Sequence, residues 1–317
     1  MSGDLDRLAA RIAAELAKRD TAGRPASAAP AGGAMAGRHA RDPRGELAGG
    51  PTAAPPGVSF VREQARIADF IDHTLLKPEA TQAEIEKLCD EASKHRFAAV
   101  CVNPAWVPLC ASRLKGTSVK VATVIGFPLG ANQPETKAFE ADRAVQDGAQ
   151  ELDMVAALGM IKTGNWDHVA RDIAAVVRAA SGNLVKVIIE SSLLSPTEII
   201  KASAIAKESG AQYVKTSTGF HASGGATAEA VTLMRLAVGD ELGVKASGGV
   251  RDCSAALRMI ASGATRIGTS GGVAMTECLG GGPLPLRELL STEAAAHGAH
   301  CASGRCAPAP AGSAQPY

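Results

Sequence analysis

Short apolar strand candidates alternate with longer amphipathic stretches over most of this 317-residue chain. Each strand candidate is followed by a segment whose apolar residues have helical spacing. The eight strand candidates are 70–76, 98–102, 119–126, 151–155, 184–190, 212–217, 243–249 and 265–270. This alternation predicts a parallel sheet whose strands are connected through helices.

The number of strand–helix units decides the fold class. Eight such units close into a TIM (β/α)8 barrel, and the pattern runs over roughly 230 residues, which fits that fold. A doubly wound open sheet is the alternative, but no strand candidate leads into the GxGxxG turn that binds dinucleotides in such sheets. We therefore predict an α/β protein built on a TIM barrel.

Two helix candidates carry recognisable end signals. The stretches 81–95 and 197–210 are amphipathic, and each begins with a threonine that suits an N-cap, Thr81 and Thr197. Gly210 is predicted to end the second helix, because glycine readily adopts the left-handed conformation that follows many helices.

Composition separates the barrel, assigned to residues 58–291, from flanking regions. Residues 21–57 are rich in Ala, Gly and Pro and are predicted to be a disordered linker, and residues 292–317 a disordered tail. No metal site is predicted in this tail, although it contains four residues of metal-binding type, His297, His300, Cys301 and Cys306.

Residues 1–20 contain one apolar stripe at helical spacing, formed by Leu5, Leu8, Ile12 and Leu16. A helix this short is marginal alone, so its apolar face needs a partner. A short amphipathic helix on a flexible linker resembles the encapsulation peptides that carry enzymes into bacterial microcompartments, which implies a shell protein as partner. The alternative is a helix that packs on the barrel or on another subunit.

Bulk composition argues against nucleic-acid and membrane partners. The formal net charge is +1 and aromatic residues make up 3% of the chain, so neither a basic surface nor a base-stacking platform is expected. No stretch approaches the roughly 20 apolar residues of a membrane span. The seven cysteines are odd in number and scattered, which favours free thiols in a reducing cytoplasm.

Reactive side chains interrupt the apolar strand candidates. In a TIM barrel the chemistry lies at the carboxyl ends of the strands, so these side chains are expected to share one mouth. They are Asp72, Cys101, Asp153, Lys186, Lys215 and Lys245. Lys215 and Lys245 belong to neighbouring strands, which lie about 4.8 Å apart, so the two amines can approach closely.

Paired lysines have a specific chemical use. A lysine with the usual pKa of about 10.4 is only about 0.04% free amine at pH 7, and only the free amine attacks a carbonyl. A second cation and partial burial can lower the pKa by about 3 units, which corresponds to about 4 kcal/mol. Lys215 and Lys245 therefore indicate a Schiff-base nucleophile and its activating neighbour. The alternative is a pair of surface lysines.

Asp153 is the candidate for proton transfer. Its neighbours in "ELDMV" are apolar, so its carboxylate must be paired with a cation or have a raised pKa. Lys186, on the next strand, is a plausible partner. A purely structural ion pair between Asp153 and Lys186 remains the alternative.

Glycine turns follow the last strand candidates. Such turns let backbone N–H groups approach an anion, and the loops after strands seven and eight commonly bind phosphate in this fold. The candidate phosphate-binding residues are Gly248, Gly249, Gly268, Ser270 and Gly271, with Arg251 as an added charge.

Seven segments together resemble the deoxyribose-phosphate aldolase family. They are "IDHTLLKPEAT", "AVCVNP", "VIGFPLG", "ELDMV", "VKVIIE", "YVKTSTGF" and "VKASGGVR", which follow one another between about residues 66 and 280. The resemblance implies a class I aldolase on a TIM barrel. It also implies cleavage of 2-deoxy-D-ribose 5-phosphate into D-glyceraldehyde 3-phosphate and acetaldehyde, without a metal or other cofactor.

The resemblance also implies residue roles. Lys215 would form the Schiff base, Lys245 would perturb it and donate a proton, and Asp153 would transfer protons through a water molecule. Four further residues match the substrate pocket or its proton network, namely Asp72, Cys101, Lys186 and Thr218. The expected partners are a phosphosugar, a second copy in a homodimer and the shell protein.

Two features depart from the resemblance. Phe220 stands where some members have a phosphate-binding lysine, and Gly271 stands where a second serine is frequent. Both affect the expected phosphate affinity rather than the aldol chemistry. The alternatives for function are another Schiff-base aldolase or transaldolase barrel, and a non-catalytic barrel that acts as a scaffold.

Overall fold

The computed structural model describes residues 64–279, 282–286 and 288–290. Its centre is a closed barrel of eight parallel strands in sequential order, so the predicted TIM barrel is confirmed. The predicted helix at 1–20, linker at 21–57 and tail at 292–317 lie outside the described residues.

Each predicted strand segment contains one barrel strand. The strands are β1 (Ile71–Leu75), β2 (Ala99–Val102), β3 (Lys120–Ile125), β4 (Glu151–Val155), β5 (Leu184–Ile188), β6 (Tyr213–Lys215), β7 (Gly243–Ser247) and β8 (Arg266–Thr269). Strand β6 is shorter than the predicted 212–217, and the hydroxyl of Thr216, just after it, donates a hydrogen bond to the backbone oxygen of Ser247. A two-residue antiparallel pairing joins Gln64–Ala65 to Leu284–Pro285 outside the barrel.

Helices connect successive strands and cover the barrel. In the described part they are α1 (Gln82–His95), α2 (Val107–Arg113), α3 (Pro134–Gln146), α4 (Leu158–Lys162), α5 (Trp166–Ala179), α6 (Pro196–Glu208), α7 (Ala228–Val238), α8 (Cys253–Ala261) and α9 (Gly272–Leu279). Short 3-10 turns at Ile67–Phe70, Pro104–Trp106 and Ser191–Leu193 complete the connections. None of the helices within the described residues is long and apolar enough to cross a membrane.

The helix ends follow local capping chemistry. Thr81 caps α1 as predicted, and its side chain forms a reciprocal capping box with Glu84. The prediction that Thr197 caps α6 is wrong, because Ser195 is the N-cap and pairs with Glu198. Pro196 occupies the first helical position, which suits its fixed φ. Gly210 follows α6 with a φ of +89°, in agreement with its predicted role.

The strands present two faces with different contents. Residues such as Val100, Leu152 and Val185 are fully buried and apolar, as expected for strands covered by helices. The barrel interior instead holds charged side chains, among them Asp153 and Lys186, which are also fully buried. The apolar layer between strands and helices forms the core, and the interior of the barrel carries the site.

Candidate active site

Strand register brings the predicted residues together. Lys215 is paired with Lys245 across β6 and β7, and Asp153 with Lys186 across β4 and β5. Asp153, Lys186, Lys215 and Lys245 are each the third residue of their strand, and in the short β6 that residue is also the last. Their side chains therefore meet inside the barrel, below its carboxyl rim.

Asp153 is the centre of the site. Its Oδ2 atom accepts hydrogen bonds from Lys215 Nζ at 2.9 Å and from Lys245 Nζ at 2.7 Å. Its Oδ1 atom accepts a hydrogen bond from Lys186 Nζ at 2.7 Å. One carboxylate thus orients three lysines, and the predicted Asp153–Lys186 pair is part of a larger network rather than an isolated ion pair.

A second layer of charges lies beneath Asp153. Asp72 lies 2.5 Å from Lys245 Nζ through Oδ2 and accepts a hydrogen bond of 2.5 Å from Arg266 through Oδ1. Glu151 lies 2.6 Å both from Lys186 Nζ and from Arg266 Nη2. Asp72 was predicted from the sequence, but Glu151 and Arg266 were missed. The sequence did contain a signal for both. Glu151 is a charged residue in the same strand candidate as Asp153, and Arg266 is one in the same strand candidate as Gly268.

The network contains more cations than anions when every group is ionised. The four cations are Lys186, Lys215, Lys245 and Arg266, and the three anions are Asp72, Glu151 and Asp153; each of these residues is at most 8% exposed. An uncompensated charge at this depth is costly. Loss of one proton from one lysine balances the network at three charges of each sign.

The surroundings favour loss of that proton from Lys215. Burial lowers the pKa of Lys215; Asp153 acts in the opposite direction, and the ammonium of Lys245 lowers the pKa further. Burial also acts to lower the pKa of Lys245, but Asp153 and Asp72 together raise it well above its usual value. The same balance raises the pKa of Lys186, through Asp153 and Glu151. Lys215 is therefore the candidate nucleophile, and the other two lysines stay charged.

The carboxylates of the network stay ionised. Burial acts to raise the pKa of Asp153, but the three lysines hold it well below its usual range. Burial also acts to raise the pKa of Asp72, but the positive charges of Arg266 and Lys245 outweigh it and keep this pKa low. In the free protein Asp153 is thus a proton acceptor, and the protons available for donation are on Lys245 and Lys186.

An apolar surface faces these charges. Cys101 is fully buried in a cluster with Leu76, Ala99, Ala122 and Val124, against which Phe127 and Phe220 pack. Burial raises the pKa of Cys101, so its thiol stays protonated. The rings of Phe127 and Phe220 meet edge to face at 5.2 Å between centroids. Cys101 therefore contributes an uncharged wall rather than a second nucleophile.

Thr218 is held by a carboxylate that the sequence reading did not single out. Its hydroxyl donates a hydrogen bond of 2.5 Å to Glu190 Oε2, and its backbone N–H donates to the same oxygen at 3.2 Å. Glu190 is 1% exposed and has a φ of +49°, a conformation that few residues other than glycine adopt. Glu190 thus fixes the turn that follows Lys215.

The candidate phosphate residues lie in different settings. Gly248 and Gly249 form a turn with φ values of +82° and +78°, which suits glycine. Ser270 is exposed on the turn after β8. The N–H of Gly271 donates a hydrogen bond of 3.0 Å to Thr269 Oγ1, so it already has a partner in the protein. Arg251 is exposed beyond the Gly248–Gly249 turn.

Gly268 lies in β8 rather than in the turn after it. A Cβ atom added to Gly268 would lie 2.9 Å from Ser247 Cβ and 3.1 Å from Lys245 Cε. The absence of a side chain at this position therefore makes room for the Lys245 side chain. Its predicted contact with phosphate stays a prediction, whereas its packing role is visible.

Within residues 64–290, apart from the undescribed positions, no three His, Cys, Asp or Glu side chains are grouped so that they could hold a metal ion. The tail residues His297, His300, Cys301 and Cys306 lie outside the described part.

A parallel eight-stranded barrel with a desolvated lysine beside a second lysine and a carboxylate has the features of a class I aldolase, a carbon–carbon lyase. The family model described as DeoC/LacD family aldolase matches residues 66–276. The chain belongs to this family, and it is an enzyme of the class I aldolase type.

Named relatives agree with this membership. The chain is 61% identical over 212 residues to a deoxyribose-phosphate aldolase of Geobacillus sp. (strain WCH70), covering 67% of this chain and 95% of that protein. It is 54% identical over 213 residues to a deoxyribose-phosphate aldolase of Mannheimia succiniciproducens, with coverage of 67% and 95%.

Solved structures give the same result. An aldolase called QR15 has a TM-score of 0.64 and 43% identity, covering 67% of this chain and 94% of that one. The tetrameric deoxyribose phosphate aldolase from Aeropyrum pernix has a TM-score of 0.63 and 34% identity, covering 67% and 89%.

Proposed function

We propose that this chain is a deoxyribose-phosphate aldolase that reversibly cleaves 2-deoxy-D-ribose 5-phosphate into D-glyceraldehyde 3-phosphate and acetaldehyde. The observation that carries the proposal is the shared Oδ2 atom of Asp153, which lies 2.9 Å from Lys215 Nζ and 2.7 Å from Lys245 Nζ. The names of the relatives supply the substrate.

The reaction begins at Lys215. Its neutral amine attacks the C1 carbonyl of the open-chain sugar, and loss of water from the carbinolamine leaves a protonated imine. This imine withdraws electrons from the C2–C3 bond. Removal of the C3 hydroxyl proton breaks that bond, releases D-glyceraldehyde 3-phosphate and leaves an enamine on Lys215. Protonation of the enamine at C2 and hydrolysis then release acetaldehyde and regenerate the amine.

The neighbours of Lys215 divide the proton transfers. Asp153 is ionised and adjacent to the amine, so it accepts protons that the substrate releases. Lys245 keeps its proton and lies 2.7 Å from the same carboxylate oxygen, so it can return a proton to Asp153 or to the departing water. Lys186 and Arg266 hold Asp153 and Asp72 ionised from below.

The phosphate group is assigned to the turns after β7 and β8. The left-handed Gly248–Gly249 turn and the backbone near Ser270 and Gly271 follow the adjacent strands β7 and β8 at the carboxyl face of the barrel. Arg251 adds an exposed positive charge nearby. Phe220, whose ring contacts Phe127, stands where some members of the family have a phosphate-binding lysine. Affinity for phosphate therefore rests on these turns.

The proposal includes a cytoplasmic location and self-association. Leu129 and Phe139 are 72% and 73% exposed, and a contact between copies that covers them would remove this apolar surface from water. The Aeropyrum pernix relative is described as tetrameric. Sedimentation velocity is expected to show an oligomer for the native chain and a smaller species for Phe139→Ser; a monomer in both would contradict this part.

Residues 1–20 are proposed to direct the enzyme to a microcompartment shell protein. Their apolar stripe needs a partner, and confining volatile, reactive acetaldehyde gives the arrangement a physical purpose. Deletion of residues 1–20 is expected to abolish co-sedimentation with shell proteins while cleavage continues. Unchanged co-sedimentation would contradict targeting through this segment.

The enzymatic proposal is tested by following both products of 2-deoxy-D-ribose 5-phosphate. Acetaldehyde is detected by its reduction with alcohol dehydrogenase and NADH, and D-glyceraldehyde 3-phosphate by its oxidation with its dehydrogenase. Equal amounts of both are expected. A transaldolase would transfer its fragment to an added acceptor aldehyde without free acetaldehyde, and a scaffold would form neither product.

A further inference from the structure

Arg266 contributes a fixed positive charge to the barrel interior. A guanidinium keeps its proton in proteins, whereas a buried lysine can lose one. Arg266 is 8% exposed and donates hydrogen bonds to Asp72 at 2.5 Å and to Glu151 at 2.6 Å. Burial acts to lower the pKa of Arg266, but Asp72 and Glu151 raise it well above its usual value. Its charge is therefore present throughout the pH range in which Lys215 titrates.

Arg266 shares both of its carboxylates with lysines of the site. Asp72 Oδ2 lies 2.5 Å from Lys245 Nζ, and Glu151 Oε2 lies 2.6 Å from Lys186 Nζ. Arg266 is also paired in register with Lys245 across β7 and β8. Part of the negative charge of each carboxylate is thus balanced by the guanidinium rather than by a lysine.

Few other titratable side chains face Lys215 and Arg266 in the described part of the chain. Asp153 lies 2.9 Å from Lys215 Nζ, and Cys101 lies near the same amine, where burial raises the pKa of its thiol so that it stays protonated. The ring of Tyr213 lies 6.0 Å from the guanidinium carbon of Arg266, within the range of a cation–π contact. The charge balance of the interior is therefore set by the seven groups of the network.

The positive charge of Arg266 creates the excess of cations in this network. With it, four cations face three anions when every group is ionised, and one lysine must lose a proton to balance them. Without it, three lysines would face three carboxylates, and the fully protonated network would already be balanced. A free amine at Lys215 would then leave one buried carboxylate uncompensated, which is costly.

We propose that Arg266 is a positioning residue of the aldolase reaction, whose fixed charge balances part of Asp72 and Glu151 and thereby makes Lys215 release its proton. Arg266 acts from the layer beneath Asp153, through the two carboxylates, and not by contact with the substrate. This inference rests on the proposed function, in which Lys215 is the nucleophile. It adds a remote charge to the direct effect of Lys245.

Three variants change the charge count of the interior in different directions. Arg266→Met removes one cation and leaves three charges of each sign. Glu151→Gln removes one anion with little change in shape and leaves four cations against two anions. The double variant leaves three cations against two anions, which restores the native excess of one positive charge.

Arg235 provides a matched control. It is a partly buried arginine in α7, outside the barrel interior, and its guanidinium donates hydrogen bonds to the backbone oxygens of Gly263 and Leu242. Arg235→Met therefore removes the same functional group and its hydrogen bonds without altering the charge count around Lys215. Its stability in urea should fall, while the titration of Lys215 should not change.

The experiment measures the reactivity of Lys215 against pH in the full-length chain. Acetaldehyde forms an imine with the free amine and releases water, and hydride from cyanoborohydride reduces this imine to a stable secondary amine. Peptide mass spectrometry quantifies the product on Lys215 between about pH 5 and pH 9. Because only the neutral amine reacts, the rate follows the free-amine fraction, and each variant is compared with the native chain at the same pH.

We expect the midpoints of the four profiles to follow the charge count. The midpoint for Arg266→Met should lie about one pH unit above the native one, which corresponds to about a 10-fold lower rate below the native midpoint. The midpoint for Glu151→Gln should lie about one unit lower than the native one. The double variant and Arg235→Met should have the native midpoint, and kcat/KM for 2-deoxy-D-ribose 5-phosphate should shift in the same order.

A purely structural role for Arg266 predicts a different pattern. A native midpoint in folded Arg266→Met, or a double variant whose midpoint stays as high as that of Arg266→Met, would overturn the inference. If Arg266→Met does not fold, Glu151→Gln decides alone, because an unchanged or higher midpoint contradicts charge balance.

Failure of the proposed function gives a separate result. If acetaldehyde trapping shows the expected order but the native chain cleaves no sugar phosphate, the substrate assignment fails while the effect of Arg266 on Lys215 stands. If the folded native chain forms no acetaldehyde adduct on Lys215, the nucleophile is wrongly assigned and the inference fails with it.

Discussion

Lys215 and Lys245 donate to the same carboxylate oxygen, Asp153 Oδ2, from neighbouring strands. The shared acceptor holds the two amines at a separation at which one positive charge disfavours the other. Because Lys245 has Asp72 as a second carboxylate and Lys215 does not, the proton stays on Lys245. Lys245 therefore stays charged beside two carboxylates and acts as the activator, whereas Lys215 has one carboxylate and acts as the nucleophile.

Substitution of Lys245 by Met should alter the pH dependence of catalysis. Only neutral Lys215 attacks, so kcat/KM rises with pH through the pKa of Lys215, which burial and the ammonium of Lys245 lower. Without that ammonium the pKa should rise, and the rising limb should move to higher pH. We also expect about a 100-fold lower rate at neutral pH. A profile with an unchanged midpoint would contradict activation by Lys245.

Substitution of Asp153 by Asn should affect both catalysis and stability. The variant leaves three buried lysines without their shared carboxylate, so the free energy of unfolding in urea should fall by about 3–5 kcal/mol at pH 7. Because the folded pKa of Asp153 is depressed, its stabilising contribution is present above its unfolded pKa of about 3.9 and is lost as the pH falls toward the folded value.

The difference between native chain and Asp153→Asn should therefore shrink as urea unfolding is repeated below about pH 4. A stability difference that stays constant down to the lowest pH at which the native chain folds would show that ionisation of Asp153 is not its source.

Substitution of Gly268 by Ala should displace Lys245. The added Cβ would lie 3.1 Å from Lys245 Cε, which is closer than ordinary contact, so we expect about a 10-fold or greater loss of kcat. Gly159→Ala is the control, because a Cβ at this helical position meets nothing within 4 Å and should stabilise α4 slightly. Full kcat in Gly268→Ala would mean that Lys245 tolerates the shift.

Lys137 and Asp172 form a buried ion pair outside the barrel interior. Lys137 Nζ lies 2.7 Å from Asp172 Oδ2 and donates a hydrogen bond of 2.9 Å to the backbone oxygen of Val155, at the end of β4. Lys137→Met leaves a buried carboxylate unpaired and should lower the free energy of unfolding by about 3–5 kcal/mol.

The double variant Lys137→Met, Asp172→Leu should recover most of that loss in urea unfolding, because apolar groups can replace a buried pair at little cost. Equal stability losses in the single and double variants would instead assign the effect to the lost hydrogen bond at Val155.

The sequence identified the parts of the site that depend on local pattern. Lys215 and Lys245 could be placed side by side because strand order in a parallel barrel follows chain order, and Asp153 stood out as a charge within an apolar strand. Thr81 could be recognised as a cap because its partner Glu84 is only three residues away.

Contacts between residues far apart in the chain could not be predicted from the sequence. Arg266 reaches Asp72 and Glu151 across 194 and 115 residues of chain, and no local pattern reports which charges meet inside a closed barrel. Gly268 looked like part of a phosphate turn because glycine is common there. Its contact with Lys245 became visible only when β7 and β8 were placed side by side.

The most direct test of the account is borohydride reduction of the protein in the presence of 2-deoxy-D-ribose 5-phosphate, followed by peptide mass spectrometry. The account predicts a reduced adduct on Lys215, its absence in Lys215→Ala, and no adduct on Lys245 in either protein. An adduct on Lys245, or no adduct on a folded native chain, would contradict the assignment of Lys215 as the nucleophile.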